Sequence, residues 1–303
     1  MHVLVTGAGG FIGRSVMQKA RARGWRVTGV ARRACAEVDQ VADLREPIAG
    51  WPVPDAVIHL AGGYAGASAR ELAATDLAIA RNVLAWGQCE GVRRWVLASA
   101  AEVYGDIEGE ADENWPCRPA IPYGRVKLEI EAMFRGAGLP ELTICRLGEV
   151  YGKEGRILRE IGGRLRDGFC PWPGDGEVRL SFLHVVDAAE ALVLACEHAA
   201  PGCEVYNAGD REPATWRQFL DRIAARLGTR QACYLPKWVA RCYAACAWGA
   251  GRMLGRSPAV TPYVLRLLTT PKVLVSARLR DRLGFEPRYP SIDSGLEEVL
   301  GGV

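Results

Sequence analysis

The stretch Thr6-Gly7-Ala8-Gly9-Gly10-Phe11-Ile12-Gly13 limits what this chain can fold into more than any other segment. It follows the short β-branched run His2-Val3-Leu4-Val5 and precedes residues 14–23, where Val16 and Ala20 recur at helical spacing. The local reading is a strand, a tight glycine turn and a helix. In that arrangement Gly7 permits the turn, Gly10 lets a pyrophosphate approach the backbone, and Gly13 lets the helix pack closely on the strand. The free amides at the helix start, around Phe11 and Ile12, then receive negative charge. The spacing is Gly-x-x-Gly-x-x-Gly rather than Gly-x-Gly-x-x-Gly. The competing reading is a glycine turn with no ligand.

A chain of 303 residues, 49% of them hydrophobic, can bury a full core as one large α/β domain or as a domain with a smaller lobe. Its net charge of +3 is spread without a basic stripe, so nucleic acid is not an expected partner. The 10 cysteines include no Cys-x-x-Cys pair and no zinc spacing, so they read as reduced thiols and no metal is expected. With no leader-like segment before the first strand, a cytoplasmic location is expected. Strand-like segments at 26–31, 55–61, 94–99 and 142–147 alternate with helical ones at 71–89 and 123–135, which predicts a Rossmann-type doubly wound parallel sheet. Residues 1–150 form the dinucleotide-binding domain, with 182–212 returning to it, and 151–303 supply mainly a C-terminal substrate lobe. Residues 236–254 are rich in Ala, Trp and Tyr but too short between charges to form a transmembrane segment. They read either as a helix packed in that lobe or at a dimer contact, or as a surface that meets lipid or admits an apolar substrate.

The string Tyr123-Gly124-Arg125-Val126-Lys127 sets Tyr123 and Lys127 one helical turn apart, so both can project from one face. Lys127 beside the phenol, with the positive charge of an oxidised nicotinamide, is expected to lower the Tyr123 pKa and fit it for proton transfer. With the glycine string and several others in the same order, this makes the chain resemble the extended short-chain dehydrogenase/reductases, many of which are NAD-dependent epimerase/dehydratase proteins. The other strings are Val57-Ile58-His59-Leu60-Ala61-Gly62, Val103-Tyr104-Gly105, Val150-Tyr151-Gly152, Phe182-Leu183-His184-Val185-Val186-Asp187 and Val205-Tyr206-Asn207-Ala208-Gly209. The resemblance implies that Leu60, Ala61, Gly62 and Ala98 lie beside the cofactor and that Asp43 and Leu44 meet the adenine ring. It also suggests a homodimer through the helices holding residues 77–86 and 123–134, whose apolar residues serve equally well as core. Members that prefer NAD carry an acid at the end of the second strand, where this chain has Ala31 followed by Arg32 and Arg33. Two guanidinium groups suit a 2′-phosphate, so NADP(H) is the favoured cofactor and NAD(H) the alternative.

Several positions depart from the family pattern. Ala100 stands where a Ser or Thr hydroxyl would hold the substrate oxygen, a loss of roughly 3 kcal/mol from one missing donor. Ser99 is one residue early and faces the other way on a strand, which makes it structural first and a catalytic substitute second. Glu102 reads as an acid/base group in a rearranged site or as a polar residue at a strand end. Glu149 replaces the Asn that meets sugar-nucleotide substrates, and Arg179 is adjacent to Leu180, where those enzymes carry Arg. Both are candidate substrate contacts, and a carboxylate facing a diphosphate would be repulsive. The strings Leu235-Pro236-Lys237-Trp238, Thr261-Pro262 and Leu283-Gly284-Phe285-Glu286-Pro287 are similar to reductases of the 3-beta-hydroxysteroid dehydrogenase type, implying an apolar carbonyl substrate. The expected activity is hydride transfer between a nicotinamide and a carbonyl or secondary alcohol of a small molecule. The alternatives are a sugar-nucleotide epimerase and a dinucleotide-binding protein without turnover.

Overall fold

Seven parallel strands make one central sheet in a computed structural model that describes residues 1–63, 68–254 and 261–301. In chain order they are β1 (His2–Thr6), β2 (Arg26–Ala31), β3 (Gln40–Val41), β4 (Ala56–His59), β5 (Arg94–Ala100), β6 (Glu141–Leu147) and β7 (Gly202–Ala208). Their spatial order is β7-β6-β5-β4-β1-β2-β3, so the order reverses beside β1 and β4. Ligands bind outside the carboxyl ends of the strands at such a point. Each strand alternates between two cores: Val3, Val5, Ile58 and Val96 face one, while Leu4, Val57, Trp95 and Leu97 face the other. Helices cover both faces, which is why these strands read as unbroken apolar runs.

The helix Phe11–Ala22 packs on the first face with Val185–Glu197. Leu279, Leu283 and Phe285 also join that core, so part of the C-terminal segment assigned to the lobe returns to the sheet. On the second face, Val83, Leu84, Trp86, Val126, Ile130 and Phe134 are all buried within the chain. The apolar residues that suggested a dimer contact are therefore core residues. The predicted helix at 71–89 is a helical path interrupted by a π turn, Ala73–Leu77, between Ala69–Leu72 and Ala78–Cys89. The lobe has its own core, in which Trp172, Phe182, Trp216 and Phe219 stack with Tyr151, Ile161 and Leu296. Among the described residues no helix is long and apolar enough to cross a membrane.

Candidate active site

The glycine turn ends β1 as a cradle that side chains would fill. Gly7 has φ +72°, and a Cβ there would lie 2.9 Å from the Ala61 amide nitrogen. A Cβ on Gly13 would lie 2.1 Å from the Gly7 carbonyl oxygen, so only glycine lets this helix start so close to the strand. Gly10 caps the helix with extended backbone, no side chain caps its amides, and its first turn holds no acid. Those free amides and the open cradle fit a pyrophosphate. Phe11 lines the cleft wall, and Ile12 packs against the core. At the end of β4, the Leu60 and Ala61 amides donate to Thr6 Oγ1 at 3.1 and 3.2 Å, and Thr6 lies 2.9 Å from His59 Nδ1. Burial, with the charge of Lys127, holds the His59 imidazole down to about 3, so that side chain is a neutral support for the turn.

Arg32 and Arg33 are exposed just beyond β2 and make no ion pair among the described residues. Asp43 is engaged by Arg45 at 2.5 Å, which holds its carboxyl down to about 2. Leu44 is buried in the second core, and Asn82 holds its carbonyl at 3.1 Å. The adenine contact expected of Leu44 would therefore have to come from its backbone rather than its side chain.

Tyr123 and Lys127 lie on the first two turns of the helix Pro122–Gly136. That helix rides on the turn after β5 because Gly124 has no side chain: a Cβ there would lie 2.2 Å from the Glu102 carbonyl oxygen. Lys127 is buried, donates from Nζ to the Ala98 carbonyl at 3.2 Å, and lies 5.7 Å from the centroid of the Tyr123 ring. Burial pushes the Lys127 ammonium down, opposed by Asp76, Glu131 and Glu102. The expectation of a lowered Tyr123 pKa needs correction for the protein alone. Burial pushes the phenol well above its usual range, and the charges of Glu102, Asp76 and Glu149 add to that.

Asp76 escaped the sequence reading. It is buried on the π turn, where both carboxylate oxygens accept the Gly63 amide at 2.8 and 2.9 Å. A Cβ on Gly62 would meet Asp76 Oδ2 at 2.9 Å and Lys127 Nζ at 3.6 Å, so the glycine makes room for this opposed pair. The available signal was weak: an acid between the apolar pairs Ala73-Ala74 and Leu77-Ala78, in a helical path that also carries Glu71 and Arg81. Lys272 was missed as well. Its ammonium is buried and donates to Glu102 at 2.6 Å, with Glu149 at 3.8 Å. Nothing local in the sequence marks a contact between residues 170 positions apart.

Ser99 is not placed as a substitute for the missing hydroxyl. It is buried in register with Arg146 on β6, and its hydroxyl donates to Glu131 at 2.6 Å. Arg146 grips the same carboxylate with Nε at 3.0 Å and Nη2 at 2.7 Å. The strand alternation that turns Ala100 one way turns Ser99 the other, into this buried network. Glu102 is neither free nor a solvated strand end, because Lys272 holds it. Arg179 is exposed on a short strand paired with Ala214–Thr215, and it does not line the cleft.

A cavity of about 620 Å³ lies in the lobe, with Phe11 and Glu149 on its wall. Val150 lines it as well, together with Ile157, Ile161, Trp172, Trp216, Leu235 and Leu268 and the charged side chains Arg156, Glu160 and Arg164. Phe169 and Tyr243 line it while remaining 64% and 63% exposed, which puts them at the mouth. The helix Lys237–Leu254 packs Ala240 and Ala244 against Leu265 in the lobe and contributes Ala240 and Tyr243 to the cavity wall.

Fold and cleft together define a dinucleotide-binding α/β protein with a tyrosine and a buried lysine one helical turn apart and a largely apolar cavity in its lobe. Residues 3–209 match the model of the NAD dependent epimerase/dehydratase family, and the chain belongs to that family. It is 32% identical, over 98% of its length and 99% of the relative's, to the 3-diazoavenalumate denitrifying reductase of a Streptomyces species. It is 26% identical, over 99% and 98%, to the 2-alkyl-3-oxoalkanoate reductase of Stenotrophomonas maltophilia. The structure of human epimerase family protein SDR39U1 with NADPH shares the fold, with a TM-score of 0.78 at 23% identity and full coverage of both chains.

Proposed function

We propose that this protein is an NADPH-dependent reductase of an apolar carbonyl compound. The observation that carries the reading is that Glu149, which lines a cavity with many aromatic and aliphatic side chains, lies close enough to Tyr123 for its charge to act on the phenol, with Lys127 5.7 Å from the centre of that ring. When bound, the reduced nicotinamide supplies hydride. The phenol of Tyr123 keeps its proton in the buried, carboxylate-flanked site until negative charge develops on the substrate oxygen, and then gives it up. The raised pKa keeps the phenol protonated at neutral pH, the form a reduction needs. Lys127, anchored on the Ala98 carbonyl, supplies the positive charge that stabilises the phenolate left behind. The carboxyl of Glu149 on the cavity wall disfavours a nucleoside diphosphate, which argues against sugar-nucleotide epimerisation.

Arg32 and Arg33 support NADPH over NADH, because both guanidinium groups are free to pair with a 2′-phosphate. Arg32→Ala is expected to weaken NADPH binding by about tenfold and to leave NADH within about twofold. Titration of each nucleotide by energy transfer from tryptophan checks this, and equal losses for both nucleotides would remove the charge argument.

One observation favours a second reading. With Ala100 at the usual hydroxyl position and Ser99 turned to Glu131, neither residue offers a hydroxyl to a substrate oxygen beside Tyr123. Reduction of a diazo group, as the Streptomyces relative's name describes, needs no such hydroxyl. The two readings separate on Tyr123→Phe, which should cripple ketone reduction and spare diazo reduction.

A further inference from the structure

The carboxyl of Glu149 has a position that the hydride and proton steps leave unused. It begins the strand Glu149–Tyr151, which pairs with Phe182–His184. Its amide donates to the Ser181 carbonyl at 2.9 Å, while its side chain lines the cavity and makes no hydrogen bond among the described residues. Its nearest cation, Lys272 at 3.8 Å, is already committed to Glu102 at 2.6 Å. Glu149 is also close enough to Tyr123 for its charge to raise the phenol. A carboxyl with one long ion pair and no side-chain hydrogen bond among the described residues, on the wall of a largely apolar cavity and close to Tyr123, is placed to meet a polar group of the substrate.

We infer that Glu149 is the specificity-determining residue of the cavity, selecting ketones whose neighbouring group is a cation or a hydrogen-bond donor and rejecting 3-oxo acids. This rests on the carbonyl-reductase reading. A substrate carbonyl held at Tyr123 puts its α and β substituents beside Glu149. An ammonium or amide N–H there gives the carboxyl the bond it lacks, whereas a carboxylate adds a third negative charge to Glu102 and Glu149. Lys272 does not reverse the preference, because Glu102 already takes one of its donors and much of its charge. The other charged groups lining the cavity, Arg156, Glu160 and Arg164, lie on the helix Arg156–Arg166, with Arg156 bonded to Glu160. Burial also pushes the Glu149 carboxyl up to about 7, against the pull of Lys272. Selectivity for a cation should therefore grow as pH rises through that value, as the carboxyl ionises.

The test uses three ketones that differ only beside the carbonyl: 1-amino-3-decanone, 3-oxodecanamide and 3-oxodecanoate. Binding of each to the enzyme saturated with NADP+ is followed by quenching of tryptophan fluorescence at pH 6 and pH 8. The amine should bind at least about tenfold more tightly than the acid at pH 8, with a smaller ratio at pH 6. In Glu149→Gln that ratio should fall below about threefold and lose its pH dependence, while the amide retains its affinity because Gln still offers an acceptor. Equal binding of amine and acid, a ratio unchanged in Glu149→Gln, or no binding of any of the three would overturn the assignment. These affinities need no turnover. Failure of the reductase reading would appear separately, as ligands that bind with the expected preference but never consume NADPH.

Discussion

Tyr123→Phe is expected to lower kcat for ketone reduction by about a hundredfold or more, with NADPH affinity within about twofold of the parent. The phenol ring packs with the second core and remains in the variant, so only the hydroxyl is removed. Its removal takes away the proposed proton donor, and among the described residues most neighbouring groups are already engaged, Glu149 being the exception. Glu102 is tied to Lys272, Ser99 to Glu131, and Lys127 to the Ala98 carbonyl. Stopped-flow absorbance of NADPH in single turnovers separates the chemical step from product release. An unchanged single-turnover rate would show that the proton comes from elsewhere.

The second large effect is on stability. Glu131→Ala should lower stability by about 3–5 kcal/mol, because it leaves the Arg146 guanidinium charged and unpaired in the interior. Glu131 is 1% exposed and Arg146 4%, and both bonds of the bidentate pair disappear together with the acceptor of Ser99. Scanning calorimetry should show Tm falling by roughly 10 °C. The paired substitution Glu131→Leu with Arg146→Met should recover most of that loss, since it removes both charges at once. A single variant as stable as the parent would mean that water reaches the pair.

These buried polar groups also show where sequence reasoning stops. The glycine turn, the alternating strands and the Tyr123–Lys127 spacing were legible because their physics is local: φ at Gly7, close approach at Gly13 and one helical turn between two side chains. Strand alternation also sufficed to turn Ser99 away from the substrate, although not to name Glu131 as its partner. The Glu102–Lys272–Glu149 cluster was illegible because three distant segments meet there, and Lys272 sits in a short loop with no periodicity of its own. Asp76 was illegible for a related reason. Its function as a partner of the Gly63 amide depends on a π turn that helical periodicity does not foretell. The apolar faces of the helices Ala78–Cys89 and Pro122–Gly136 carry the opposite lesson. Composition alone could not divide them between a dimer contact and the core, and packing assigns them to the core.

The account's central claim is hydride transfer from NADPH to an apolar ketone with Tyr123 as the acid. It is tested most directly by incubating the enzyme with NADPH deuterated at the reactive nicotinamide carbon and a panel of C8 to C14 ketones, then analysing the products by mass spectrometry. The prediction is a secondary alcohol carrying one deuterium on the carbinol carbon, formed in proportion to the NADP+ released and nearly absent with Tyr123→Phe. No deuterated alcohol from any ketone of the panel, in an enzyme shown to bind NADPH, would contradict it.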